Sequence, residues 1–219
     1  MVESEHPGLK TSPPAGDPDA PQSLAGAVGG TLGMLESALP AVVFVAVYSL
    51  SGANTDLSAI VAVGLALLLT AARLVRGKSP RYALSGLVGV AFAAFVAARS
   101  GRAEDFFLPG LLANAAYALA FVISIAARRP LVGSIVGALD GEGQDWRGEP
   151  DRMRAFTRAS WLWAGIFLTR LAVQLPLYLA GAVVALGVAK TAMGIPLSAL
   201  GLWLTWRLVH RHRVPAPGT

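Results

Sequence analysis

LSAIVAVGLALLLTAARLVRGKSPR, Leu57 to Arg81, decides what kind of protein this is. From Leu57 to Val75 the run is almost purely aliphatic, broken by Gly64 and uncharged until Arg73. About 20 helical residues, each rising ~1.5 Å, cross ~30 Å of hydrocarbon, so the run predicts a transmembrane helix. Arg73, Arg76, Lys78 and Arg81 follow at its end. Basic residues are held on the cytoplasmic side during insertion, so the same stretch also predicts the orientation.

Working outward, MLESALPAVVFVAVYSL (Met34–Leu50) reads as a short first span, with Pro40 in its opening turns where a missing donor costs least. The hairpin SGANTD that follows carries no basic residue, as an outward loop should. Tyr82–Ala98 reads as a third span, whose Ser85, Gly86 and Gly89 let helices approach closely. Arg99, Arg102, Glu104 and Asp105 form the next outward loop, and Phe106–Ala127 the fourth span, with Pro109, Asn114 and Tyr117 along it. After Arg128, Arg129 and Pro130, the segment LVGSIVGAL reaches only about 14 Å as a helix, too short to cross. It predicts an interfacial helix over Leu131–Leu139, in which the Gly133/Gly137 spacing is a weak dimerisation signal. The polar loop DGEGQDWRGEPDRMR leads to a fifth span, Ala155–Tyr178, with Trp161 and Trp163 near its start at headgroup level. Leu177–Ala189 is apolar but short and Lys190 interrupts it; Ile195–Leu208 is then the sixth span. Length and charge favour a re-entrant or interfacial segment over 177–194, against a seventh crossing. With six crossings, 14 of the 18 Lys and Arg face the cytoplasm. The expected fold is therefore an all-α polytopic bundle of about six spans, with both termini cytoplasmic in the inner (cytoplasmic) membrane.

Composition agrees with lipid as the solvent. Apolar residues make up 54% of the chain, charged residues 14%, and mean hydropathy is +0.58. A net charge of +5 is spread over interhelical loops, which suits anionic lipid headgroups and argues against a nucleic-acid partner. There is no cysteine, and His6, His210 and His212 lie in the tails, so neither a metal site nor a cofactor is expected. Residues 1–31, rich in Pro, Gly, Ser and Asp, read as a disordered cytoplasmic tail; 32–213 form the transmembrane domain and 214–219 a second disordered tail.

Charge inside a span is costly, which singles out Arg170. Gln174 lies one turn on along the same face, and Asn114 on the antiparallel fourth span falls at a similar depth. Arg170, Gln174, Asn114 and Tyr117 are thus expected to form one polar layer, with Glu104 or Asp105 neutralising Arg170 from above. The layer reads either as a ligand site for an anionic or polar solute, or as an interhelical clamp. Glu36 is a proton-carrying carboxylate or an acid favoured at its helix N-terminus, and the second reading is preferred. Lys190 reads as an interface anchor and a further charge partner. No constellation of nucleophile, acid and base is found, so no catalytic residue is assigned and the chain is not expected to be an enzyme.

The blocks LESALPAVVFVAVY (Leu35–Tyr48), GRAEDFFLPGLLANAAYALAF (Gly101–Phe121), RRPLVG (Arg128–Gly133) and LTRLAVQLPLYLAG (Leu168–Gly181) carry a resemblance. Through them the chain resembles a family of actinobacterial multi-pass membrane proteins known as domain of unknown function 3159. More distantly, the order of elements is similar to the intracellular septation protein A family, inner-membrane proteins linked to envelope synthesis and division. The resemblances imply an integral membrane protein of the cell envelope and supply no catalytic residues. The functional expectation is a non-catalytic envelope or division-associated protein acting through membrane lipids or other inner-membrane or division proteins. The alternative is a small-solute or ion transporter or channel using the Arg/Gln/Asn layer.

Overall fold

The computed structural model describes residues 30–77, 80–139, 143 and 145–210. The tails expected to be disordered lie outside these residues, apart from Gly30 and Thr31, which open the first helix. Seven α-helices follow one another among the described residues: α1 (Gly30–Leu50), α2 (Thr55–Val75), α3 (Pro80–Ser100), α4 (Leu108–Ala126), α5 (Leu131–Leu139), α6 (Pro150–Leu179) and α7 (Val183–His210). Short 3-10 turns precede α4 (Ala103–Phe107) and α6 (Asp145–Gly148). Five helices are long and apolar enough to cross a membrane, and α1, whose apolar part runs Glu36–Leu50, is shorter. The chain is an all-helical, polytopic membrane bundle.

Which side chains point inward explains why. On α2 the buried residues are Ser58, Ala59, Ala62, Ala66 and Thr70, spaced by three or four along one face. They meet a matching stripe on α3 that includes Ala83, Ala93, Ala94 and Ala97. The large aliphatic residues point the other way: Ile60 is 68% exposed and Leu68 69%. In water this would be an inverted protein; in lipid the large side chains are solvated while small ones let backbones approach closely. α4 packs on α6, and α6 on α7. α1 is tied in by Phe44, fully buried and stacked on Phe106 at 4.0 Å between ring centres. Gly187 on α7 makes room for Val45, since a Cβ at that glycine would lie 2.5 Å from Val45 Cγ2.

Helix ends depart from the apolar limits where local chemistry extends or stops a helix. α2 starts two residues early because Asn54 caps it, its Oδ1 accepting from Leu57 N at 2.9 Å. α6 starts at Pro150, a residue suited to the first turn, five positions before the expected Ala155. At ~1.5 Å per residue α6 is about 45 Å long, so its first turns extend beyond a ~30 Å hydrocarbon layer.

The C-terminal third differs from expectation. No separate re-entrant segment occupies 177–194. α6 ends in a Schellman turn: Gly181 adopts φ +64°, Ala182 N donates to Leu177 O and Gly181 N to Tyr178 O, both at 3.0 Å. α7 then runs unbroken from Val183 to His210 through Lys190 and Pro196. The apolar piece is thus the end of one helix, a turn and the start of the next, so α6 and α7 are a hairpin and no seventh crossing arises.

α5 forms at Leu131–Leu139 as expected. Its Gly133/Gly137 pair packs against residues of the same chain. It seats Trp146, a fully buried residue from the loop that reads as merely polar. A Cβ at Gly133 would lie 2.7 Å from the Trp146 ring, and one at Gly137 would run into the Gly143 carbonyl and come within 2.8 Å of Trp146 Nε1. Phe156 of α6 closes the socket edge-on to the indole at 5.0 Å. Gly137→Ala should therefore cost about 1–3 kcal/mol by overpacking. Gly89→Ala, with nothing within 4 Å of the new methyl, should be neutral or slightly stabilising. Unfolding midpoints of the two variants in detergent micelles check this contrast.

Candidate functional site

Three groups of polar side chains are built into the bundle. The first centres on Arg170 of α6. Its Nη2 donates to Gly194 O at 2.8 Å and to Ser198 Oγ at 2.7 Å, both on α7. Gly194 has no side chain to cover its carbonyl, and Ser198 lies one turn on along the same face. The guanidinium also lies over the Phe167 ring at 5.9 Å, and Phe167 in turn contacts Tyr117 at 5.2 Å between centroids. The expected polar layer therefore comes together only in part. Gln174 is buried and Asn114 half-buried, but among the described residues neither is hydrogen-bonded to Arg170. Tyr117 is 55% exposed and reaches Arg170 through an aromatic ring rather than its hydroxyl. The reason is topological: the hairpin turn at Gly181 lays α7 beside α6, and α7 supplies both acceptors, one a backbone carbonyl and one a side-chain hydroxyl. Arg170 Nε is buried with no hydrogen-bond partner among the described residues.

The second group lies where residues 102–105 meet the α6–α7 turn. Arg102 Nε donates to Glu104 Oε1 at 2.8 Å, and the Tyr178 hydroxyl donates to the buried Asp105 carboxylate. These two acids are thus engaged locally and do not neutralise Arg170. The hydrogen bond that Arg102 donates to Glu104, reinforced by the charges of Asp105 and Glu104, raises the pKa of the Arg102 guanidinium above its ordinary value. Lys190 points into the same half of the bundle. Its Nζ lies 5.1 Å from the centre of the Phe107 ring, and a Cβ at Gly110 would be 3.5 Å from that nitrogen. Lys190 is therefore a residue within α7 resting on an aromatic face, not an anchor at a helix break.

The third group sits at the arginine-rich end. Glu36 of α1 accepts from Arg73 Nε at 2.9 Å and from Arg76 Nη1 at 3.3 Å. Glu36 is thus a charge partner, as expected, but its partners are Arg73 and Arg76, which neither a helix-dipole nor a proton-carrying role identifies. A signal existed: Glu36 opens an ascending helix and Arg73 closes the antiparallel one beside it, at equal depth. For Gly194 and Ser198 there was none, because a carbonyl and a hydroxyl in an apolar run become partners only once the hairpin register is set. Among the described residues no cluster of His, Cys, Asp and Glu could hold a metal ion.

Arg170→Ala removes two bonds between helices. Such bonds contribute about 0.6–1.7 kcal/mol each in membrane bundles, so the loss should lower the unfolding midpoint. Gln174→Leu, which breaks no bond to Arg170, should leave it nearly unchanged. Thermal unfolding of the detergent-purified variants is the check.

The sequence model of a family described as "Protein of unknown function (DUF3159)" matches residues 28–216. No curated protein and no solved structure gives a significant match to the chain.

Proposed function

The chain belongs to that family of unknown function, DUF3159, and from this premise we propose that it is a non-catalytic membrane protein acting through lipid and protein contacts in the cell envelope. It sits in the inner (cytoplasmic) membrane with both termini in the cytoplasm and serves envelope maintenance or division. The observation that carries this reading is the Arg170 clamp. The one arginine in mid-span spends its hydrogen bonds on Gly194 and Ser198, joining α6 to α7. Glu36, Glu104 and Asp105 are likewise bonded to side chains of the chain itself. Polar groups committed to one another hold helices in register and leave the outer surface as the part that meets other molecules. The distribution of basic residues supports the orientation, since Arg73, Arg76, Arg128, Arg129 and the arginines from Arg147 to Arg158 gather at one end.

A second reading, a carrier for an anionic or polar solute, is favoured by one feature. Arg170 Nε is buried and unpartnered among the described residues, and an entering anion would complete it. Proteoliposomes separate the two. On the proposed reading, the protein passes chloride, phosphate and acetate no faster than protein-free vesicles do. Flux that Arg170→Ala abolishes while the variant stays folded would establish the carrier instead.

Orientation has a clean test because the chain has no cysteine of its own. An impermeant maleimide applied to intact cells should label Arg102→Cys and leave Arg128→Cys and Thr219→Cys unlabelled until the cells are opened. The reverse pattern would invert the topology.

A further inference from the structure

Lys190 lies within α7, about 10 Å along the helix from its start at Val183. Among the described residues its ammonium has no hydrogen bond and no ion pair, only the Phe107 ring at 5.1 Å. Glu104 and Asp105, the acids at that end of the bundle, are engaged by Arg102 and Tyr178. The helix registers bring Gln174 to the same place. Arg170 of α6 meets Gly194 of α7, so one turn towards Gly181 on each helix sets Gln174 against Lys190. Tyr117 of α4 meets Phe167 of α6, so two turns outward on each sets Gly110 against Gln174. Lys190 Nζ in turn lies 3.5 Å from where a Cβ at Gly110 would stand. Ammonium and amide thus converge on the bare backbone at Gly110, and Asn114 follows one turn deeper on α4. A Cβ added at Gly194, one turn from Lys190, would meet nothing within 4 Å, so the space beside the pair is open.

Gln174 is 4% exposed, yet its amide has no hydrogen-bond partner among the described residues, and neither has that of Asn114. Within a membrane an unpaired ammonium and an unpaired amide are each costly, because little water is there to satisfy them. The groups themselves set the chemistry of what would complete them. One ammonium balances one negative charge, so a monoanion fits, whereas a phosphate dianion would leave charge unpaired in a medium of low dielectric. A carboxylate has two oxygens, one to accept from Lys190 Nζ and one from the Gln174 amide. Bare backbone at Gly110 and Gly194 lets a flat group approach closely. We propose that Lys190 and Gln174, with Asn114 beside them, bind a carboxylate monoanion, either a small carboxylate or the head of a fatty acid. The site goes beyond the reading of the bundle as a contact protein and requires no transport, since Arg170 keeps its bonds to α7.

Native mass spectrometry of the full chain released from detergent tests it, with palmitate, its methyl ester and inorganic phosphate as probes. The ester has the same acyl chain and no charge, so the wild-type chain should retain palmitate about tenfold better. Lys190→Met, which keeps the apolar stem, should erase that preference. Gln174→Leu, which leaves the bonds of Arg170 intact, should weaken it. Arg99→Gln, at an exposed arginine on the last turn of α3, should change nothing. Excess acetate identifies the source: displacement of palmitate assigns the site to small carboxylates, and retention makes the acyl chain part of the ligand. Equal retention of palmitate and its ester, or a preference that survives Lys190→Met, overturns the site. So does phosphate held as well as palmitate, or an equal loss in Arg99→Gln. Should Lys190→Met not fold, Gln174→Leu decides by itself, and a preference it leaves unchanged is fatal to the proposal. The outcome is separable from the flux assay: loss of the carboxylate site leaves the Arg170 clamp standing, and a transport result leaves the binding measurement unaffected.

Discussion

Everything in this bundle depends on small residues facing inward. In water a helix hides its large apolar residues, because removing them from solvent drives folding. In lipid that gain vanishes, since the surrounding chains are as apolar as leucine, and association falls to close packing and interhelical hydrogen bonds. The alanine and serine stripes of α2 and α3 are the result, as are the glycines at 187 and 201, where a Cβ would lie 2.5 Å from a neighbouring side chain. The largest fully buried side chains, Phe44, Phe107, Trp146 and Phe156, are few beside these small residues.

Polar side chains then become the fasteners. With little water to compete, a hydrogen bond between helices cannot be exchanged for one to solvent, so each donor or acceptor has reason to find a partner within the protein. Trp163 Nε1 donates to Thr205 Oγ1, and Arg170 to Gly194 and Ser198, both linking α6 to α7. Tyr178 and Asp105 join the end of α6 to the turn before α4. Such contacts fix the register between apolar helices that could otherwise slide, and they place the membrane-embedded arginine without a carboxylate beside it.

At the arginine-rich end the construction changes, because residues there can use both lipid and water. α5 is too short to cross, yet Val132 N donates to the buried Ser160 Oγ and Trp146 fills the Gly133/Gly137 hollow. The first turns of α6, with Phe156 and Ala159, complete a small apolar core that Leu208 and Val209 of α7 also touch. That core makes the 3-10 turn at Trp146 part of the packed structure, although it is carried by a loop full of Gly, Glu and Asp.

The amino-acid sequence by itself determined the medium, the helical class, the position of the spans and the short α5, because each follows from apolar run length against a fixed bilayer thickness, a purely local property. It also marked Arg170 and Glu36 as residues needing partners. It did not reveal who those partners are. The hairpin at Gly181, the acceptors on α7, the Glu36–Arg73 pair and the seat of Trp146 were decided by tertiary structure. In each case the partner is an ordinary carbonyl, hydroxyl, arginine or glycine, and acquires its role from the depth and rotation at which one helix lies against another.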